Sequence, residues 1–118
     1  MIEVIKRDII SVLSKVAEIL KVKEETDVAE IKELSNHVIH NASVFQDEDS
    51  ISIAILIYSL SKIIERKQKD MDYGKVLKML NSAIASLNIN QDDSFRKSIK
   101  EMFNFIRTMD EKLKLYIN

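Results

Sequence analysis

Apolar residues recur at helical spacing in four stretches of this chain, and a fifth stretch is apolar almost without interruption. From Ile2 to Leu20, residues such as Ile5, Ile9, Val12, Val16 and Leu20 fall three or four positions apart with charges between them, which predicts an amphipathic helix. The polar stretch KVKEETD ends that pattern. Asp27, with Glu30 three positions on, has the form of a capping box and predicts a second helix from about Val28 to Phe45. Its core stripe is Val28, Ile31, Leu34, Val38, Ala42 and Phe45.

After the acidic run QDED comes ISIAILIYSLSKII, the most apolar segment. A strand is conceivable there, because Ile is abundant and Ser52 alternates with Ile51 and Ile53. Helix is preferred, since no partner strand can be found elsewhere. Asp49 or Ser50 is placed to cap it, and the helix at 50–68 is expected to be central, wrapped on several sides. The segment is too short to cross a bilayer, which takes roughly 20 apolar residues, and Glu65, Arg66 and Lys67 follow soon after. Ser52, Ser59 and Ser61 are small enough to let neighbouring helices approach.

Beyond ERKQKDMD, where Asp70 or Asp72 can cap, Tyr73, Val76, Leu77, Leu80, Ala83, Ile84 and Leu87 lie on one stripe of a fourth helix. NINQDD breaks the pattern, and Asp92, Asp93 and Ser94 suit the start of a fifth helix that uses Phe95, Ile99, Met102, Phe103, Ile106, Leu113 and Tyr116. The reading is all-α: one domain over residues 1–118, a bundle of about five mostly antiparallel helices. Phe105 and Met109 on the last helix, and Ile10 and Ala17 on the first, fall off their main stripes and are the expected surface for a partner.

Composition supports this picture. The chain has 118 residues, 46% hydrophobic and 31% charged, with one glycine and no proline, so it can fill a core but lacks the residues of tight hairpins. A net charge of −1 provides no basic field for nucleic acid or anionic lipid, and no aromatic is interleaved with Lys62, Arg66, Lys67 and Lys69 for base stacking. The absence of cysteine excludes disulfides and thiolate chemistry. Charges at Glu3, Lys6, Arg7 and Asp8 interrupt any apolar leader, and a cytoplasmic setting is expected. Tyr58 and Tyr73 are expected to pack their rings in the core and send each hydroxyl to an acceptor.

Candidate chemistry is confined to ELSNHVIHNASVFQDED. At about 100° per residue, Glu33, His37, His40, Val44 and Asp47 share one stripe of the second helix, opposite its core stripe. Glu33, His37, His40 and Asp47 could hold a divalent ion such as zinc, since imidazoles at i and i+3 and a carboxylate one turn away can converge on one metal. A metal-binding or hydrolytic bundle is therefore one reading. The named patterns do not match it. There is no HExxH and no Glu-x-x-His of a di-iron bundle. His40-Asn41 stands where a phosphohydrolase would carry His-Asp, and no arginine precedes a histidine at the spacing of HEPN ribonucleases.

His37-Val38-Ile39-His40-Asn41, on the exposed face of a bundle helix, is similar to the His-x-x-Lys-Gly of histidine phosphotransfer domains, which the chain also resembles in size. That resemblance implies a histidine as phosphate acceptor, with His40 and Asn41 standing where Lys and Gly would be. The plainest alternative is a wet helical face on which Glu33 and His37 form an i, i+4 pair. No pattern requires catalysis. The leading expectation is a small helical protein that works through contact with another protein or with itself.

Overall fold

The computed structural model describes the backbone of residues 2–21, 28–67 and 72–117, and the side chains there except residues 45, 67 and 110–117. These residues form five helices: α1 (Glu3–Lys21), α2 (Val28–Phe45), α3 (Glu48–Lys67), α4 (Tyr73–Asn88) and α5 (Asp92–Ile117). No strand occurs among them, and the all-α bundle predicted from the periodicity is the observed fold. None of the described helices is long and apolar enough to cross a membrane. The capping box at Asp27, a cap at Asp70, Met71, and the side chains of Phe45, Leu113 and Tyr116 lie outside the described residues.

The ends of the helices follow from local chemistry. Asp47, not Asp49 or Ser50, caps α3: its Oδ2 accepts from the Ser50 N–H at 2.8 Å and from the Ser50 hydroxyl at 2.9 Å. Asp72 caps α4 by accepting from the Lys75 N–H at 3.0 Å. At the other end of α4, Asn90 takes a left-handed φ of 58°. Gln91 N–H then donates to Ser86 O and Asn90 N–H to Leu87 O, the paired bonds that close a helix with an αL residue. Asparagine tolerates that conformation where a branched residue would not.

One apolar core joins the helices. It includes Leu13 and Val16 of α1, Ile31 and Val38 of α2, Ile57 and Ile64 of α3, Leu80 and Ala83 of α4, and Phe95 and Met102 of α5. α2 packs on α3, α4 on α5, α1 lies against α2 and α4, and α3 also meets α5 and α1. The tight approach of α2 to α3 rests on Ser35, fully buried, whose hydroxyl donates to Ala54 O at 2.9 Å. Of the serines expected to do this work, Ser61 is buried and turns its hydroxyl to Tyr58 O of its own helix, whereas Ser52 is exposed.

Several expectations need correction. Ile10, Ala17, Phe105 and Met109 are not spare surface, because all four pack against the core. Among the described residues the large apolar side chains left in water lie elsewhere: Ile39 and Val44 on α2, Ile51, Ile55 and Tyr58 on α3, and Ile2, Val4 and Ile89 at or near helix ends. α3 is thus buried along a broad face and open along a narrow one, and Tyr58 is half-exposed instead of packed inside. Tyr73 is buried as expected, but its hydroxyl has no hydrogen-bond partner among the described residues.

An ion pair fastens the start of α5 to α1. Lys6 of α1, whose side chain is only 9% exposed, donates to Asn90 Oδ1 at 2.9 Å and lies 3.2 Å from Asp92 Oδ1. The Lys6 hydrogen bond, followed by the Lys6 charge, holds the Asp92 carboxyl below its usual range against the opposing effect of desolvation. A carboxyl with a depressed folded-state pKa contributes stability above its unfolded value, about 3.9, and that contribution disappears as pH falls through the folded value. Asp92→Asn is therefore expected to lower the melting temperature at neutral pH and to flatten its decline below about pH 4. Melts followed by circular dichroism from acid to neutral pH check this, and parallel curves for the two proteins would refute it.

Candidate functional site

Of the residues singled out near α2, the structure brings Glu33 and His37 together and leaves His40 and Asp47 apart from them. His37 turns toward α1, where its Nε2 donates to Asp8 Oδ1 at 2.8 Å. The other oxygen of Asp8 accepts from Asn41 Nδ2 at 2.6 Å. One carboxylate therefore clasps two side chains a helical turn apart, and the three together tie α1 to α2. The expected Glu33–His37 pair is replaced by this longer-range contact. Helical spacing put Glu33 and His37 on one stripe, but the Asp8 carboxylate offers a short, directed bond.

Beside the clasp is a cleft of about 320 Å³ lined by Asp8, Ser11, Lys15, Glu30, Glu33 and His37, with Val12 and Leu34 at its base. Glu33 and His37 are thus brought to one place. His40 does not line this cleft and is exposed, and Asp47 is committed to capping α3. Among the described residues, no three or more His, Asp or Glu side chains are grouped so that they could hold a metal ion. An incoming phosphoryl group would meet the Asp8 carboxylate at the His37 Nε2, where like charges repel. Asp8 and Asn41 were missed in the sequence. Asn41 follows His37 by four residues and was within reach of the helical wheel, but nothing local links Asp8 to a residue 29 positions away.

A second feature is apolar. Ile39, Ala42 and Ser43 of α2 and Ile51, Ala54 and Ile55 of α3 line a groove of about 260 Å³ along the outer side of the hairpin. Its floor is shallow because Ala42 and Ala54 are small, and its walls are isoleucines about half in water. Tyr58 extends the same exposed line on α3, with the Lys62 ammonium 5.5 Å from the centre of its ring. No charged side chain lines the groove.

On the α5 side of α3, Arg96 makes a two-point contact with Asp49, Nε to Oδ1 at 3.1 Å and Nη2 to Oδ2 at 3.0 Å. The Asp49 hydrogen bonds, followed by its charge, push the Arg96 guanidinium further above its usual range. This closed pair anchors the start of α5 to the start of α3. Compared with known proteins, the chain matches no protein-family model, no curated protein and no solved structure.

Proposed function

We propose that this protein is a cytoplasmic contact module that binds another protein chain through the outer face of the α2–α3 hairpin. The observation that carries the reading is the half-exposure of Ile39, Ile51, Ile55 and Tyr58 together on one face, while among the described residues the other large exposed apolar side chains are Val44, on the histidine-bearing stripe of α2, and Ile2, Val4 and Ile89 at or near helix ends. Each such side chain gains roughly 25 cal/mol per Å² of apolar surface removed from water, so four neighbours on one face favour association where scattered ones would not. The groove over Ala42 and Ala54 gives incoming side chains somewhere to seat.

The test places a photoreactive diazirine side chain at position 55 or, as a control, at position 18, which is exposed on α1. Irradiation of the expressing cells should give protein adducts at position 55 at several times the control yield. Equal yields at the two positions would overturn the proposal.

A further inference from the structure

We infer that the occupant of the α2–α3 face is a second copy of this chain, docked so that the two α3 helices run antiparallel. This rests on the contact reading above and adds a partner and a register. The argument begins with spacing. Glu48, Ile55 and Lys62 are separated by seven residues, with Ile51 and Tyr58 between them, along the outer line of α3; Glu48 is exposed, and Lys62 is partly exposed with its ammonium over the Tyr58 ring and 4.0 Å from Glu65 Oε2 at the edge of the seam. Seven residues are close to two helical turns, so such a series forms a nearly straight seam of the kind one helix offers another.

The seam is electrically asymmetric about its middle. Glu48 stands seven residues before Ile55, beside the cap residue Asp47, and Lys62 stands seven residues after it. A two-fold axis lying in the interface at the level of Ile55, perpendicular to α3, brings Ile55 against its own counterpart. The same operation sets Glu48 of each copy opposite Lys62 of the other and Ile51 opposite the segment at Tyr58 and Ser59. A parallel arrangement would instead oppose Glu48 to Glu48 and Lys62 to Lys62. Charge complementarity thus selects the antiparallel register, and the opposed helix dipoles favour it too.

The same axis keeps α2 over α2. Ile39, in the same groove as Ile55, then meets its counterpart, while Ser43 adds little bulk on that flank. Such an interface is isologous, the commonest form of self-association. Size permits it. α3 has 20 residues and α2 has 18, so the paired helices present a projected face on the order of 600 Å². Side-chain relief raises this toward the roughly 800 Å² per partner of a standard interface.

Sedimentation equilibrium of the full chain at low salt tests the inference directly. The wild-type protein should be dimeric at micromolar concentration. Glu48→Lys and Lys62→Glu should each weaken the dimer by about tenfold, because each turns two symmetry-related attractions into repulsions. The doubly exchanged protein should recover, since the pairs re-form with signs reversed. Circular dichroism checks that each variant stays folded, as expected where Glu48 is exposed and Lys62 partly so. A monomeric wild type, or charge variants that dimerise like the wild type, would overturn the inference. If the wild type is monomeric while position 55 still cross-links a different protein in cells, the inference fails and the contact function stands. Equal cross-linking at positions 55 and 18 removes the contact function itself.

Discussion

Phe95→Ala is expected to lower the unfolding free energy by about 3–5 kcal/mol, the range for deleting a buried aromatic ring. Phe95 is 1% exposed and belongs to the single apolar core, one turn into α5. Its backbone is fixed by the Phe95 N–H donating to Gln91 O at 3.0 Å and its helix by the Arg96–Asp49 contact next to it. Domains of this kind retain only about 5–15 kcal/mol in total, so the variant should lose a large share of its stability. Urea unfolding measures it as a lower midpoint at unchanged slope. A loss under about 1 kcal/mol would mean that the ring is not enclosed.

Ile57→Ala should cost about 2–5 kcal/mol, whereas Ile55→Ala should cost less than about 1 kcal/mol in the monomer. The two isoleucines are two positions apart in α3, yet Ile57 is 1% exposed and Ile55 is 53% exposed. Truncating Ile57 leaves a void among packed neighbours. Truncating Ile55 removes a side chain already half in water, and the better helix propensity of alanine offsets part of the loss. Unfolding at protein concentrations below the dimer dissociation constant isolates the folding term. Equal costs at the two positions would mean that α3 is wrapped on all sides. The pair therefore decides whether α3 has an open face, on which both the proposed contact and the proposed dimer depend.

Much of the fold was legible along the chain. Predicted and observed helices agree to within a few residues, because a repeat of three and four apolar positions has only one regular backbone that buries it. The polar interruptions were plain too, but only Asp72 was among the caps expected; the α3 cap is Asp47, two or three residues before the expected Asp49 or Ser50, because its carboxylate is the one that reaches the Ser50 N–H. The candidate site was legible only in part. The wheel placed Glu33, His37 and His40 on one stripe of α2, but it could not foresee that Asp8 of α1 would take His37 aside while His40 stayed out in solvent. Ser35 was overlooked because a serine in a core stripe looks like an interruption until the Ala54 carbonyl is seen beside it.

The order of apolar and charged residues by itself determined five helices, their places along the chain, and the inward stripe on four of them, and none of the described helices is long and apolar enough to cross a membrane. Only the tertiary structure decided which side of α3 stays open. Nearly every position from Ile51 to Leu60 is apolar, so periodicity cannot distinguish Ile55 from Ile57; the answer depends on where α1, α2 and α5 come to rest against that helix. A helical repeat is a local property, written in residues a turn apart. Which apolar surface is covered is a matter of how a limited set of helices shares one core.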